Sequence, residues 1–151
     1  MSTQDLQWLL LRQQNSFLVK QHGLPRVFSR EPGNIAAIHS YKYSGLINDK
    51  AVGVEAAPSG RGIVLTTKKS KIASNAVKGT RNVNIIVGGS RRAAGKVSNV
   101  VGKRGYRSDL VKDTVARASA ILRSQRPGSR KQPRARTVRG GKKPVVVSTD
   151  A

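Results

Sequence analysis

The residues of this chain best suited to a specific chemistry are its arginines and lysines. Arginine presents planar, forked N–H donors that match the oxygens of a phosphate group. The basic residues are grouped in short runs, at 91–92, 103–107 and 130–136, with glycine, proline and serine among them. These small residues and prolines allow the backbone to bend, so the runs are predicted to follow a folded phosphate backbone.

The candidates for contact with nucleic acid comprise these runs and further basic residues near them. Tyr106 is included because it lies among basic residues and can stack on an unpaired base. An aromatic residue at that position also fits a small core or a hinge contact. The predicted set is Arg91, Arg92, Lys96, Lys103, Arg104, Tyr106, Arg107, Arg117, Arg123, Arg126, Arg130, Lys131, Arg134, Arg136, Arg139, Lys142 and Lys143.

The sequence offers little for catalysis or metal binding. His22 and His39 have no carboxylate or serine motif around them, and the seven acidic residues form no paired motif. Cysteine is absent, as are the HExxH and CxxC spacings of metal sites. The stretch GGSRRAAGKV fails as a phosphate-binding loop, because Ser90 replaces its first glycine and Val97 its magnesium-binding hydroxyl. We expect no enzymatic activity, metal, cofactor or small-molecule substrate.

The distribution of charge separates two parts of the chain. Of the net charge of +22, residues 1–60 carry six bases and four acids. Residues 61–113 carry thirteen bases and two acids, and residues 114–151 carry ten bases and one acid. A protein this cationic repels itself unless a polyanion neutralises it. The first sixty residues therefore resemble an ordinary globular region, and the remainder resembles a binding surface.

The N-terminal half is predicted to combine one helix with a small antiparallel sheet. Apolar residues in TQDLQWLLLRQ recur at helical spacing, with Thr3 as a candidate cap. The apolar run LQWLLL is too short for a signal peptide or a membrane span, so we expect no membrane partner. The segments SFLVK, RVFSRE and HSYKYSG are strand candidates. AVGVEAA and GIVLTTKK are predicted to pair as a hairpin around PSGR.

The basic half is predicted to contain a loop, a short strand and two helices. Residues 68–84 show no clear period and are interpreted as a loop that orders on a partner, and NIIVGG as a strand. The stretch 90–103 has one helical apolar face. In SDLVKDTVARASAILRSQ, a stripe of Val111, Val115, Ala118 and Leu122 indicates a helix that Ser108 caps.

Residues 127–144 cannot form a core, because their few apolar residues do not offset the entropy of ordering the chain. The run Val145–Val147 is equally consistent with docking in a groove, or adding a strand, and with a free end. The fold class is thus α+β: a small antiparallel sheet with an N-terminal helix, followed by basic helices and an extended basic C-terminal tail. We divide it into a globular domain (1–68), a basic loop with two helices (69–126) and the tail (127–151).

Five short blocks of the sequence are distinctive: LQWLLLRQQNSFLVK (Leu6–Lys20), SREPGN (Ser29–Asn34), YSGLINDKAVGVE (Tyr43–Glu55), YRSDL (Tyr106–Leu110) and RASAILRSQRP (Arg117–Pro127). Together, and in the family's order, they resemble the eukaryote-specific protein twenty-eight family of the large ribosomal subunit. The resemblance implies a structural protein of the cytoplasmic ribosome that binds ribosomal RNA beside neighbouring ribosomal proteins, and is assembled in the nucleolus. It also implies an α+β domain followed by basic helices, with Arg107, Arg117, Arg123 and Arg126 facing RNA.

Three other functions fit the charge less well. A ribosome-biogenesis factor that binds pre-ribosomal RNA is the main alternative, although such proteins typically carry acidic stretches and cysteines that this chain lacks. A histone-like DNA packager does not agree with the strand-rich first third. A membrane-surface or heparin binder would need a basic amphipathic helix with aromatic anchors.

Overall fold

The β-hairpin that the alternating pattern around PSGR predicts is the centre of the fold. The structure, a computed structural model, describes residues 3–72, 76 and 78–126. Strand β3 (Val52–Ala56) pairs antiparallel with β4 (Ile63–Lys68), with Val54 opposite Leu65. Gly62 in the connecting turn has a φ of +97°, and a Cβ there would lie 2.6 Å from the carbonyl oxygen of Ile86. This turn therefore requires glycine.

A third strand extends the hairpin and corrects the loop prediction for residues 68–84. Strand β5 (Arg81–Ile86) pairs antiparallel with β4, which places Arg81 opposite Lys68 and Ile86 opposite Ile63. The prediction began this strand at Asn84, because Arg81–Val83 lacks a run of apolar residues. Arg81–Val83 nevertheless pairs with the edge of β4, because the hydrogen bonds between strands are made by the backbone and do not depend on side-chain hydropathy.

Two helices cover one face of this sheet. The sequence predicted both helices but not their place on the sheet. Helix α2 (Ser90–Ser98) continues into a π-helical turn (Asn99–Lys103), and α3 (Val111–Ser124) follows a 3-10 turn (Ser108–Leu110). Ser108 lies within the 3-10 turn, so the prediction that it caps the helix is wrong. Thr3 is likewise wrong as a cap, because it is already the first residue of α1 (Thr3–Leu11).

The hydrophobic core lies between the sheet and these helices. Its members are Ile35, Val52, Val54, Ile63, Leu65, Ile86, Ala93, Val97, Val101, Ala118 and Leu122, with Val111 and Val115 packed against them. The apolar stripe predicted on α3 thus packs on protein. The core contains residues from both sides of Lys68, where the division between the first and second domains was predicted. That division stays a prediction, because only the behaviour of a fragment tests it.

The N-terminal half is less regular than predicted. Strands β1 (Leu18–Val19) and β2 (Phe28–Ser29) form a separate two-stranded sheet, and HSYKYSG forms turns instead of a strand. Gly45 lies where a Cβ would be 2.0 Å from the carbonyl oxygen of Pro32, so this close approach of two segments requires glycine. The α+β class is confirmed, with the strands in two sheets instead of one.

Helix α1 differs most from the prediction, because none of its residues is buried. Leu6 and Leu9, which the helical spacing places on the apolar face of this helix, are 55% and 56% exposed. The helix is held through Trp8, whose ring centroid lies 4.9 Å from that of His39. Tyr41 donates a hydrogen bond of 2.9 Å to the Asp5 carboxylate. These polar and aromatic contacts, unlike apolar burial, have no periodic signal in a sequence.

Glu31 ties the SREPGN block to its surroundings. Its carboxylate accepts hydrogen bonds from the Ser44 hydroxyl (2.7 Å) and the Asn15 side-chain amide (3.1 Å), and the residue is buried. A buried carboxylate needs such partners, because leaving it unpaired is costly. Glu31 therefore has a structural explanation within the protein.

Candidate nucleic-acid interface

Tyr106, one of the predicted contacts with nucleic acid, is engaged by the protein itself. Its hydroxyl lies 3.2 Å from the carbonyl oxygen of Ala51 and also within hydrogen-bonding distance of that of Lys68. These carbonyls stand at the open end of the β3–β4 hairpin, where the Lys68 N–H also donates to Ala51 at 2.9 Å. Burial raises the pKa of Tyr106, so the hydroxyl keeps the proton that it donates. Tyr106 also packs against the hydrophobic core, which agrees with the core or hinge contact named as the other interpretation, and its contact with nucleic acid stays a prediction.

Arg107 is also engaged internally, and its side chain is only 16% exposed. Its guanidinium donates two hydrogen bonds to Asp109, Nε to Oδ1 at 2.9 Å and Nη2 to Oδ2 at 2.8 Å. The two Nη atoms also donate to the carbonyls of Lys50 and Lys42, each at 2.9 Å. Four of the five N–H donors of the guanidinium are therefore used. The hydrogen bond with Asp109 raises the pKa of Arg107 and lowers the pKa of Asp109.

Lys68 belongs to the basic half of the chain, but its ammonium group is bound within the protein. Its Nζ donates to the carbonyl oxygens of Leu46 and Asn48, both at 2.9 Å, and lies 3.4 Å from that of Gly45. Burial lowers the pKa of this ammonium group. Lys68 thus fastens the 45–48 turn to the end of β4.

The cations of α2 lie on its solvent-facing side. Ala93 and Val97 are buried against the core, whereas Arg91, Arg92 and Lys96 are exposed. No acidic residue occupies the first turn of this helix, where arginines oppose the helix dipole. A bound polyanion would offset this unfavourable arrangement.

Lys103 and Arg104 extend the exposed cations beyond α2. They lie at the end of the π-helical turn and in the bend that follows it, and both are exposed. Arg104 and Arg107 are therefore close in sequence but differ in environment. The structure leaves the first open to a partner and encloses the second.

The arginines of α3 do not converge on one surface. Arg117 and Arg123 are exposed, while Ala118 and Leu122 are buried beside them. Six residues separate the two arginines, so they point about 120° apart around a helix with about 100° per residue. Each is accessible, but the two face different directions.

Arg126, just beyond α3, faces a cleft together with Arg61, which the sequence-based prediction did not include. We call this the Arg61–Arg126 cleft; it has a volume of about 630 Å3 and is also lined by Leu122, Gln125 and the segment 87–90. The Gln125 side chain accepts from the Gly62 N–H at 2.9 Å and donates to the Gly62 carbonyl at 2.8 Å. This pair of hydrogen bonds fixes the end of α3 to the β3–β4 turn.

Arg61 was missed because its tertiary partner lies far along the chain. It occupies the predicted turn PSGR, where an isolated arginine is indistinguishable from a solvated charge. The contact between Gln125 and Gly62 joins residues 63 positions apart and has no pattern in either segment. The one feature of the sequence that could have indicated Arg61 as a contact is its place inside a tight turn.

The structure also shows where the two histidines lie and whether metal-ligating side chains cluster within the described residues. His39 Nε2 lies 2.8 Å from the Arg12 carbonyl, and His22 is exposed in a turn. No group of three or more metal-ligating side chains occurs within the described ranges. Among the residues that the structure describes, no helix is long and apolar enough to cross a membrane.

The remaining predicted contacts, from Arg130 to Lys143, lie outside the described residues, as does the run Val145–Val147. Both therefore stay predictions from composition. The described part of the candidate interface consists of the exposed cations of α2, the bend after it, α3 and the Arg61–Arg126 cleft.

Comparison with known proteins identifies relatives along nearly the whole described chain. The ribosomal L28e protein family matches residues 6–124. The large ribosomal subunit protein eL28 of Schizosaccharomyces pombe is 47% identical over 125 residues, which are 82% of this chain and 92% of that protein. The protein of the same name from Caenorhabditis elegans is 34% identical over 122 residues, 80% of this chain and 88% of that protein. Since the matched region covers both sheets and all three α-helices almost completely, this chain belongs to the ribosomal L28e protein family.

Proposed function

We propose that this chain is a structural constituent of the large subunit of the eukaryotic cytoplasmic ribosome, that it binds ribosomal RNA there, and that it has no catalytic role. Its relatives carry the name large ribosomal subunit protein. Neighbouring ribosomal proteins are the other partners, and assembly takes place in the nucleolus before export.

The observation that carries the RNA-binding part is the number of cations without an internal partner. Within the described residues, the Arg107–Asp109 pair is the one ion pair between side chains. Among the described residues, the exposed arginines and lysines of α2 and α3 form no ion pair with a carboxylate. An RNA backbone supplies the missing negative charge, and phosphate contacts of this kind position a protein without reading sequence.

Retention in mature subunits tests this proposal. Large subunits from cells that express a tagged full-length chain would be purified by sedimentation and washed with high salt. A structural constituent stays with the subunits, and ultraviolet crosslinking then joins it to ribosomal RNA. A biogenesis factor would instead be found with nuclear pre-ribosomal particles and be missing from washed cytoplasmic subunits.

A further inference from the structure

The Arg61–Arg126 cleft contains two basic side chains that have no partner among the described residues. Both arginines are exposed, and neither guanidinium makes a hydrogen bond or ion pair within the described part of the chain. By contrast, the Arg107 guanidinium is paired with the Asp109 carboxylate and with two backbone carbonyls. The side chains of Arg61 and Arg126 are thus available to a ligand.

The position of these two arginines is fixed by the residues next to them. Gln125 precedes Arg126 and Gly62 follows Arg61, and the two hydrogen bonds between Gln125 and Gly62 hold the segments together. Gly62 cannot be replaced without strain, because a Cβ would meet the carbonyl oxygen of Ile86 at 2.6 Å. Two charges held at one cleft in advance lose less entropy on binding than charges on separate flexible segments.

The rest of the lining determines what kind of ligand fits. Gly88 and Gly89 have no side chains, so a ligand can approach the backbone there, and Val87 contributes an exposed apolar surface. The Gln125 amide uses one of its two N–H donors and one of its two acceptor lone pairs on Gly62, which fixes the orientation of its side chain. No acidic side chain among the described residues lines the cleft. An anionic group with an adjoining apolar body therefore matches it.

We propose that the Arg61–Arg126 cleft binds a backbone phosphate of RNA, with the attached ribose against Val87. The forked donors of the arginines match phosphate oxygens, and a contact with phosphate does not depend on base identity. An acidic protein segment is the competing ligand, but the chain's net charge of +22 and the exposed Arg91 and Arg92 beside the cleft favour a continuous polyanion. This inference rests on the proposed RNA-binding function and adds Arg61 as a contact.

The test measures affinity of the full-length chain for a transcript of large-subunit ribosomal RNA over a range of salt concentrations. The double variant Arg61→Gln/Arg126→Gln should bind more weakly. Its slope of log affinity against log salt should be shallower by roughly 0.7–0.9 units, the change expected for one lost phosphate contact. The control variant Arg26→Gln/Arg30→Gln removes two exposed charges from the near-neutral N-terminal part and should keep the parental slope.

A variant that leaves the net charge unchanged distinguishes the effect of the arginines' position from the effect of their charge. Gln125→Ala keeps both arginines but removes the hydrogen bonds that hold their two segments together. The slope of log affinity against log salt should therefore also become shallower, although the net charge is unchanged. A melting curve like that of the parent would show that this variant is folded, and the double arginine variant provides the test if it is not.

The outcomes distinguish this inference from the function on which it rests. If the parent binds the transcript and the double variant keeps the parental slope, the cleft proposal fails while RNA binding stands. Equal losses in the double variant and its control would also overturn the cleft. If the parent does not bind the transcript, the proposed function itself fails. A photo-crosslinker at position 61 in purified subunits should react with RNA, and reaction with an acidic protein segment alone would contradict the proposal.

Discussion

The Arg107 guanidinium and the Asp109 carboxylate form a two-pronged ion pair, with Nε–Oδ1 and Nη2–Oδ2 distances of 2.9 and 2.8 Å. The same guanidinium donates to the carbonyls of Lys50 and Lys42, which belong to a segment that precedes β3. It therefore fastens the start of the C-terminal helices to the N-terminal half. Only arginine has donors in this arrangement.

We expect Arg107→Lys to destabilise the protein although it keeps the charge. Lysine cannot make the paired contacts with Asp109, and at least one backbone carbonyl would lose its donor. The loss should be about 1–3 kcal/mol in the free energy of unfolding, measured by urea denaturation. The exposed neighbour Arg104 is the control: Arg104→Lys should change stability by less than about 0.5 kcal/mol. Equal effects of the two substitutions would contradict this role of Arg107.

Acid should weaken the same contact. The Arg107 side chain lowers the pKa of Asp109, so the carboxylate stabilises the folded state above the ordinary aspartate pKa of about 3.9, and this contribution is lost as the pH falls through the lower pKa of the folded state. Asp109→Asn should therefore be less stable than the parent at neutral pH, and the difference should narrow in acid. Thermal unfolding at both pH values measures it. A difference that stays constant with pH would show that the charge of Asp109 is not involved.

The core leads us to expect that the fragment 1–68 does not fold alone. Ile63 and Leu65 would lose their packing against Val97, Ala118 and Leu122. Each buried side chain of this kind contributes about 1.5–3 kcal/mol, so the loss exceeds what a small domain can tolerate. The fragment should lack a dispersed amide spectrum, whereas residues 1–126 should show one. A dispersed spectrum from 1–68 would instead confirm the domain division predicted from the sequence.

The exposed arginines of α3 should contribute to RNA affinity separately. Because Arg117 and Arg123 point in different directions, Arg117→Gln and Arg123→Gln should each make the salt slope shallower by about 0.7–0.9 units if each contacts a phosphate. Their effects should add in the double variant. Binding titrations with a large-subunit RNA transcript measure the slopes. Parental slopes in both single variants would mean that these arginines are solvated on the ribosome.

Removal of residues 127–151 should weaken binding to many RNAs to a similar extent. The segment contains seven basic residues, and contacts with phosphate carry little sequence information. Competition binding with several unrelated hairpins measures the change. A variant of the same length with these bases replaced by glutamine controls for chain length and should behave like the deletion. Loss of affinity for a single hairpin, with the others unchanged, would show sequence-specific recognition instead.

The sequence alone determined those features that depend on neighbouring residues. Alternation in Val52–Ala56 and Ile63–Lys68 predicted the hairpin, and the stripe on residues 108–125 predicted the second basic helix. The separation of a near-neutral part from a basic part is likewise a property of composition. These signals are visible because a strand or helix repeats its inward-facing positions every two or every 3.6 residues.

The tertiary structure alone decided which cations are available to a partner. Arg104 and Arg107 are equivalent in the sequence, but the carbonyls that occupy Arg107 come from residues 57 and 65 positions away. Arg61 and Arg126 share a cleft for the same kind of reason, since Gln125 reaches Gly62 across the fold. The exposure of Leu6 and Leu9 could not be predicted from the sequence either. Periodicity shows that a helix has an apolar face, but it does not show what covers that face. Hydrogen bonds between distant segments follow from packing geometry, and no local pattern of residues encodes that geometry.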